Sequence, residues 1–361
     1  MPNTTNPPLE KLSKRFRAFA EDECKHHSQL YYQLAHDVSK TPYLLSLAAH
    51  CAPRQPVPNL FFAAIHYLLL KSQEEVLADY YPSICKKKVE KIPIELFNKF
   101  CQDKETTIIA ILKNKIVQTN TINRTAYLMP IFSSCFKEEP FVNLVDIGCS
   151  SGLTMNFDLY TYDYGIGQEW GNSDVKIKTN LRAGKLPYFK DMVTIKRKIG
   201  IDQNPLDLNI EDNAIWLKSL IWPDLSERFN RLAAAIGMAT QSQIELYQAH
   251  QTQQFRKLIQ QIPSQEALAV YHTHVLYQFS ISERTEFWSM LDQIGQQRDF
   301  IYLAVEGNTV FDPTQEHREV LIQLTHYKDG KKRRKPMGQT DGHATWIKWG
   351  ATNGTSGSSF A

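Results

Sequence analysis

The chain has 361 residues, 42% hydrophobic, 22% charged and 11% aromatic, with a formal net charge of +3 at pH 7. A balance this near neutral argues against a nucleic-acid or membrane-surface binder, and the hydrophobic content suits a globular chain with room for two domains. Six cysteines (24, 51, 85, 101, 135 and 149) share no C-x-x-C spacing. Neither a zinc ribbon nor a disulfide framework is expected, and free thiols read as a reducing, cytoplasmic setting.

The N-terminal stretch MPNTTNPPLEKLSKRFRAF sets no apolar core behind a basic start, so no signal peptide is expected. From about residue 10 to 139 the pattern is helical. Phe16, Phe19, Leu30, Tyr31 and Leu34 recur at three- and four-residue steps, and Phe61, Ala64, Ile65, Leu68 and Leu69 repeat the stripe. PRQPVPN (53–59) separates these helices. The apolar run at 59–71 is shorter than the roughly 18 residues of a membrane span and reads as a buried helix. Residues 93–115 predict a third long helix, and 123–136 a fourth that bends before Pro130. A helical cap domain over 1–139 is expected.

At Phe141 the character changes. NLVDIG (143–148), IKRKIGID (195–202), QIELYQAH (243–250), ALAVYHTH (267–274) and DFIYLAVEG (299–307) are short β-branched or apolar runs with helical patterns between them. That alternation predicts βαβ units and a parallel sheet. The stretch from Glu319 to Gly350 then reads as two long strands around a turn at Asp329-Gly330. The second domain is placed at 140–350, with 351–361 as a flexible Gly/Ser-rich tail. An insertion, about 160–192, is too long for a plain connection.

The stretch FVNLVDIGCSSGLTMNF (141–157) ends a strand in an acid, turns through two glycines and runs on into an expected helix. Gly148 and Gly152 admit backbone angles other residues resist, and a helix start there suits a carboxylate or phosphate. Ser150 stands where a dinucleotide fingerprint needs its second glycine. The next strand-end acid, Asp202, is far beyond the roughly 20 residues that fingerprint requires. No Gly-Lys-Ser/Thr follows, which removes a P-loop. NAD, ATP and GTP are disfavoured.

Five parallel strands closed by an antiparallel hairpin resemble the class I methyltransferase fold, a Rossmann-like sheet. LVDIGCSSG is similar to the first motif of S-adenosylmethionine-dependent methyltransferases, and IGIDQNP (199–205) to the second. A closer resemblance spans about residues 10–349. PNLFFAAIHYLLL, LADYYPS, VQTNTINRTAYLMP, DIGCSSGLTMNFDLYTYDYG, GIDQNPLDLNIEDNAIWLKSLIWPD and GHATWIKW resemble successive blocks of an uncharacterised bacterial family, domain of unknown function 2332. That family also has Ser at the middle-glycine position.

The resemblance implies S-adenosylmethionine as cofactor, Asp202 on the ribose hydroxyls, with Asn204 beside it. Gly148, Cys149, Ser150 and Gly152 would lie along the methionine portion, with Asp146 ordering the loop or meeting the amino group. Gln118, Asn120 and Arg124, in an unusually polar stretch, are candidates for the cofactor carboxylate, with capping and joining of helices as the plainer role. His272 and His274, two residues apart at a strand end, are candidate proton acceptors for the substrate. Tyr162, with Tyr160 and Tyr164, is a candidate aromatic wall, against plain packing of the insertion. A metal site from His272, His274 and Glu306 lacks H-E-x-x-H spacing and is not expected. Lys331 to Lys335 reads as a solvated hairpin tip, not a nucleic-acid site. The expectation is a cytoplasmic enzyme that transfers a methyl group to a small molecule, with no nucleic-acid or membrane partner. The alternatives are transfer or cyclisation of the aminocarboxypropyl arm, and a non-catalytic binding protein.

Overall fold

The computed structural model describes residues 7–85, 91–118, 121–314, 316 and 319–350. The tail at 351–361 and Asn120 lie outside the described residues. The first helices are α1 (Pro7–Ala18), α2 (Gln29–Val38), α3 (Pro42–Ala48), α4 (Val57–Lys71), α5 (Ile94–Asp103) and α6 (Glu105–Asn114). After them come α7 (Thr125–Cys135), α8 (Glu211–Ser219), α9 (Ser226–Ala239), α10 (Thr252–Ile259), α11 (Ile281–Gly295) and α12 (Asn308–Phe311). The strands begin with β1 (Val142–Ile147), β2 (Thr161–Asp163), β3 (Glu169–Trp170), β4 (Lys176–Lys178), β5 (Asn180–Ala183) and β6 (Ile195–Asp202). They continue with β7 (Ile244–Gln248), β8 (Leu268–Thr273), β9 (Phe300–Gly307), β10 (Val320–Lys328), β11 (Lys331–Thr340) and β12 (Trp346–Trp349).

Two compact units result, one of residues 1–119 with 209–233, the other of 120–208 with 234–361. The division therefore differs from the expected one at 139/140. The stretch 209–233 belongs with the helices because its large side chains pack there. Trp222 meets Phe19 edge-on at 5.6 Å, Trp216 meets Tyr67 at 5.7 Å and Phe229 lies against His66. Phe62 is the centre of this core, stacked on Tyr31 at 4.6 Å and edge-on to Phe16 and Phe97. Each such aromatic pair adds about 0.5–1.5 kcal/mol beyond the area it buries.

Polar ties complete the helical unit. Ser28 begins α2 by accepting a bond from the Tyr31 amide, and its hydroxyl donates to Asp224 at 2.6 Å. The other Asp224 oxygen accepts from the Leu30 amide at 3.2 Å. Asp212 accepts from Tyr67, from Lys71 at 3.0 Å and from Lys115 at 2.9 Å, which holds its carboxyl well below the usual range. The predicted third helix is two, α5 and α6, broken at Lys104, whose backbone leaves the helical region.

The second unit is a mixed α/β domain with a nine-stranded, mostly parallel sheet in the order β5-β12-β11-β10-β9-β8-β1-β6-β7. The five expected parallel strands lie together as β7-β6-β1-β8-β9. β1, at their centre, is buried at every residue, as a strand covered on both faces should be. The expected hairpin is β10–β11, with Asp329 and Gly330 both at positive φ, the turn that matches strand twist. Beyond the expected strands, β12 and β5 extend the sheet past β11, and β2–β4 of the insertion form a three-stranded sheet.

If Asp224 ties 209–233 to α2, Asp224→Ala lowers stability in urea unfolding by about 1–3 kcal/mol. Combined with Ser28→Ala, the losses add to less than their sum. Strict additivity would show that the two side chains do not act together.

Candidate functional site

The strand order reverses at β1, with β6 on one side and β8 on the other. Doubly wound sheets bind ligands beyond the strand ends at such a point. Here the chain leaves β1 through a loop with Gly148, Ser150 and Gly152 at φ 75°, 54° and 76°. The loop is fastened to the end of β6. The Gly148 amide donates to the Ile201 carbonyl at 2.7 Å and the Ser150 amide to Asp202 Oδ2 at 2.8 Å. The other carboxylate oxygen, Oδ1, accepts from the Asn204 amide at 2.8 Å. Asp202, Asn204, Ser150 and Asp146 are thus gathered around one turn.

The two glycines also answer to close packing inside the protein. A Cβ on Gly148 would lie 2.3 Å from Val275 Cγ2, and one on Gly152 would lie 2.9 Å from Ile244 and Met155 atoms. Cys149 Sγ packs on Gly200 of β6, and burial pushes its thiol far up. The expected helix after the loop is not an α-helix. Leu153–Leu159 forms 3₁₀ turns interrupted at Asn156, so the strong N-terminal dipole expected there is absent. Lys198, on β6, is the reason for the interruption's polar lining: it donates to Asn156 at 2.8 Å and to Asp158 at 3.1 Å.

Asp146, the penultimate residue of β1, is 3% exposed and accepts from Thr154 Oγ1 at 2.7 Å. The Tyr271 hydroxyl lies 3.3 Å from the same Oγ1. Burial foremost pushes the Asp146 carboxyl up to about 7, with the Asp202 charge adding to it and Thr154, Tyr271 and Arg124 opposing. On the loop, the Ser150 hydroxyl is buried with no hydrogen-bond partner.

The two histidines part company. His272 is wholly buried, with Nδ1 2.8 Å from Glu306 Oε1 and Nε2 2.6 Å from the Tyr302 hydroxyl. Its position within the strand leaves no nitrogen for a substrate. His274 lies past the end of β8 at φ 55°, and its Nε2 is buried without a partner. Burial foremost, then the neighbouring Arg124, presses its pKa down to about 4, so the ring is neutral at neutral pH. The two-residue spacing puts both on one face only while the chain stays extended; the left-handed turn at His274 ends that.

Arg124 spends its guanidinium on carbonyls. Nε and Nη2 donate to Gly342 at 3.2 and 3.1 Å, and Nη1 to Thr273 at 3.4 Å. Its role here is to hold the end of β8 against the loop before β12. Gln118 belongs to the helical unit, on the segment after α6. Tyr160, Tyr162 and Tyr164 are buried, and their hydroxyls donate to the carbonyls of Leu153, Phe157 and Ala126 at 2.6–2.8 Å. They pack the insertion, the plainer of the two expected roles. Thr154, Tyr271 and Tyr127 were not singled out by sequence; only Tyr127, three residues after Arg124, carried a signal through its polar neighbourhood.

The fold and these residues define a mixed α/β protein with a loop-and-carboxylate site where its parallel strand order reverses. The chain belongs to the family described as "Uncharacterized protein conserved in bacteria (DUF2332)", whose model matches residues 13–349. No curated protein matches the chain.

The raised Asp146 carboxyl has a stability consequence with a definite sign. Between the ordinary carboxyl value of 3.8 and about 7 the folded protein holds a proton the unfolded chain has released. Its contribution to stability is therefore full below about 4 and lost as pH rises through 7. Asp146→Asn removes that loss. Urea midpoints of the variant, set against the native protein from pH 4 to 8, are expected to gain steadily and level off above 7. A difference that does not change with pH would refute the assignment.

Proposed function

We propose that the sheet unit binds S-adenosylmethionine at the loop after β1 and uses it to modify a small molecule, most simply by methyl transfer. The observation that carries the reading is the Asp202 carboxylate held against the Ser150 amide at the strand reversal. Each Asp202 oxygen accepts one amide N–H. A carboxylate oxygen has a second lone pair, so the pair of oxygens can still take the two hydroxyls of a ribose.

The residues present fit such a molecule in two further ways. The Ser150 hydroxyl is buried and unpartnered, facing the same turn as its own amide. The Asp146 carboxyl sits where a sulfonium or ammonium charge would draw it into the ionised form. The glycines contribute differently from the family pattern, since Val275, Ile244 and Met155 already occupy the space they leave. The loop amides are engaged inside the protein, Gly148 and Cys149 on the Ile201 carbonyl, Ser150 on Asp202 and Gly152 on the Cys149 carbonyl, so the loop's ligand-facing group is then the Ser150 hydroxyl.

Bound, the sulfonium supplies an electrophilic methyl group. The chain's part is to hold the ribose through Asp202, balance the positive charge with Asp146, and keep water away from the reacting centre. A binding role without catalysis is the second reading, favoured by the internal bonds that engage both nitrogens of His272 and the Tyr162 hydroxyl.

Calorimetric titration tests the proposal directly. Saturable binding of S-adenosylmethionine and S-adenosylhomocysteine is expected, weakened by roughly tenfold or more in Asp202→Ala. Absence of binding to either compound by the native protein rejects the reading. Mass spectrometry of turnover mixtures then separates the chemistries: S-adenosylhomocysteine marks methyl transfer and methylthioadenosine marks use of the other arm.

A further inference from the structure

Around the ends of β8 and β9, three side-chain atoms are buried without a hydrogen-bond partner: Glu306 Oε2, His274 Nε2 and the Tyr127 hydroxyl. The backbone places them together: the His274 amide donates to the carbonyl of Val305, the residue before Glu306, at 2.9 Å, and Glu306 Oε1 takes the amides of Val275 and Leu276, the two residues after His274. Tyr127 follows Arg124 by three residues, and Arg124 Nη1 donates to the carbonyl of Thr273, the residue before His274, at 3.4 Å. The charges of Glu306 and Arg124 both act on Tyr127 and His274. The Tyr127 hydroxyl faces the Thr273 side chain without reaching bonding geometry.

Glu306 is the decisive member. Its Oε1 is fully engaged, by His272 at 2.8 Å and by the amides of Val275 and Leu276 at 2.6 and 2.8 Å. Burial would raise its pKa, but His272 and the two amides bring it below the ordinary value, so the carboxylate is ionised. Its second oxygen, in a residue with no exposed surface, then has no donor. An ionised oxygen left so is strongly destabilising, and native proteins seldom tolerate it without a reason. Arg124 does not relieve it, because its N–H groups go to Gly342 and Thr273.

His274 adds a second, independent sign. A histidine at φ 55° stores backbone strain, and such outliers gather at functional sites. Being neutral, its Nε2 can serve as an acceptor beside the carboxylate. Two acceptors and a hydroxyl are left here without partners, and Arg124, whose charge acts on Tyr127 and His274, has its N–H groups on Gly342 and Thr273. A carboxylate or phosphate ligand, having only acceptors, would leave the Glu306 and His274 atoms unpaired. A group rich in N–H donors and able to carry positive charge would complete every unpaired atom.

We infer that Glu306 Oε2, His274 Nε2 and the Tyr127 hydroxyl form a subsite for the amino group of a small molecule. As the acceptor's subsite this rests on the transferase reading; as an amine site it stands by itself. Methylammonium is the simplest probe. Full-length protein carrying ¹³C-labelled histidine rings is titrated with methylammonium chloride at constant ionic strength, with no nucleoside present. The His274 ring resonance, assigned through His274→Asn, is expected to shift saturably while that of His326 stays still.

Glu306→Gln should weaken the shift by roughly tenfold or more, since a charged partner is lost. Tyr127→Phe should weaken it severalfold, and serves if Glu306→Gln does not fold, which the His272 resonance reports. Sodium acetate should leave His274 unmoved. No shift with methylammonium, an equal shift with acetate, or an undiminished response in the folded variants overturns the assignment. Because no nucleoside is present, that failure is distinct from a failure to bind S-adenosylmethionine.

Discussion

The bond from the Ser150 amide to Asp202 is the interaction on which the site depends. Ser150 is a non-glycine residue in the left-handed region, a conformation that costs about 1–2 kcal/mol. A hydrogen bond to an ionised group returns about 1.5–3 kcal/mol. A second bond, from the Leu206 amide to the Ser150 carbonyl at 3.0 Å, adds to it. The favourable terms exceed the strain, so the turn is fixed before any ligand arrives. A glycine at 150 would lower the strain but leave the turn less committed to one shape, because glycine has more freedom to lose. Serine also places a hydroxyl where glycine has nothing.

The opposite side of the site is held by a different acid, and the two sides are joined mechanically. Glu306 Oε1 receives the amides of Val275 and Leu276, which sets the turn after β8. The Val275 side chain is the group that fills the space against Gly148. A change at the end of β9 is thus felt through one residue at the loop after β1, with no intervening helix. Packing this close tolerates little displacement, since a single added carbon at 148 would sit 2.3 Å from a Val275 methyl. The buried His272 serves this arrangement by holding Glu306 from below, which explains why a histidine in mid-strand is neither exposed nor available.

Much of the sheet was legible because its signals are local. β-branched runs bounded by polar stretches marked all five parallel strands, and Asp329-Gly330 marked the hairpin turn, since both positions take φ values that few residues adopt. What could not be read depended on partners distant in sequence. The edge strand β5 and its neighbour β12 are short and pair with each other across a long separation in sequence. The stretch 209–233 shows amphipathic helix patterns and two tryptophans, but no periodicity tells a helix which unit will bury it. Within the site, the pair Asp146 and Asp202 was readable from position at strand ends. The tyrosines at 160, 162 and 164 show the limit: alternation says they share a face, and cannot say whether that face meets a ligand or the core. For His272 and His274 even the shared face failed, because one left-handed residue undoes the alternation.

For the binding proposed here, the charge at this end of the sheet bears on the choice of ligand more than the shape of the loop does. Glycine-rich turns that hold phosphates act together with the α-helix behind them, whose N-terminus supplies about half a positive charge. Here that helix is replaced by 3₁₀ turns broken at Asn156, so the contribution is largely lost. What lies at the turn instead is a pair of acids from two strands, Asp146 of β1 and Asp202 of β6, with Glu306 of β9 behind the turn after β8 and the Arg124 N–H groups spent on carbonyls. A pyrophosphate brought here would meet like charge without compensating dipole. A sulfonium or an ammonium would meet opposite charge in surroundings of low dielectric, where each such contact counts for more than it does in water. That contrast is the electrostatic ground for proposing a cation, not a dinucleotide, at this loop.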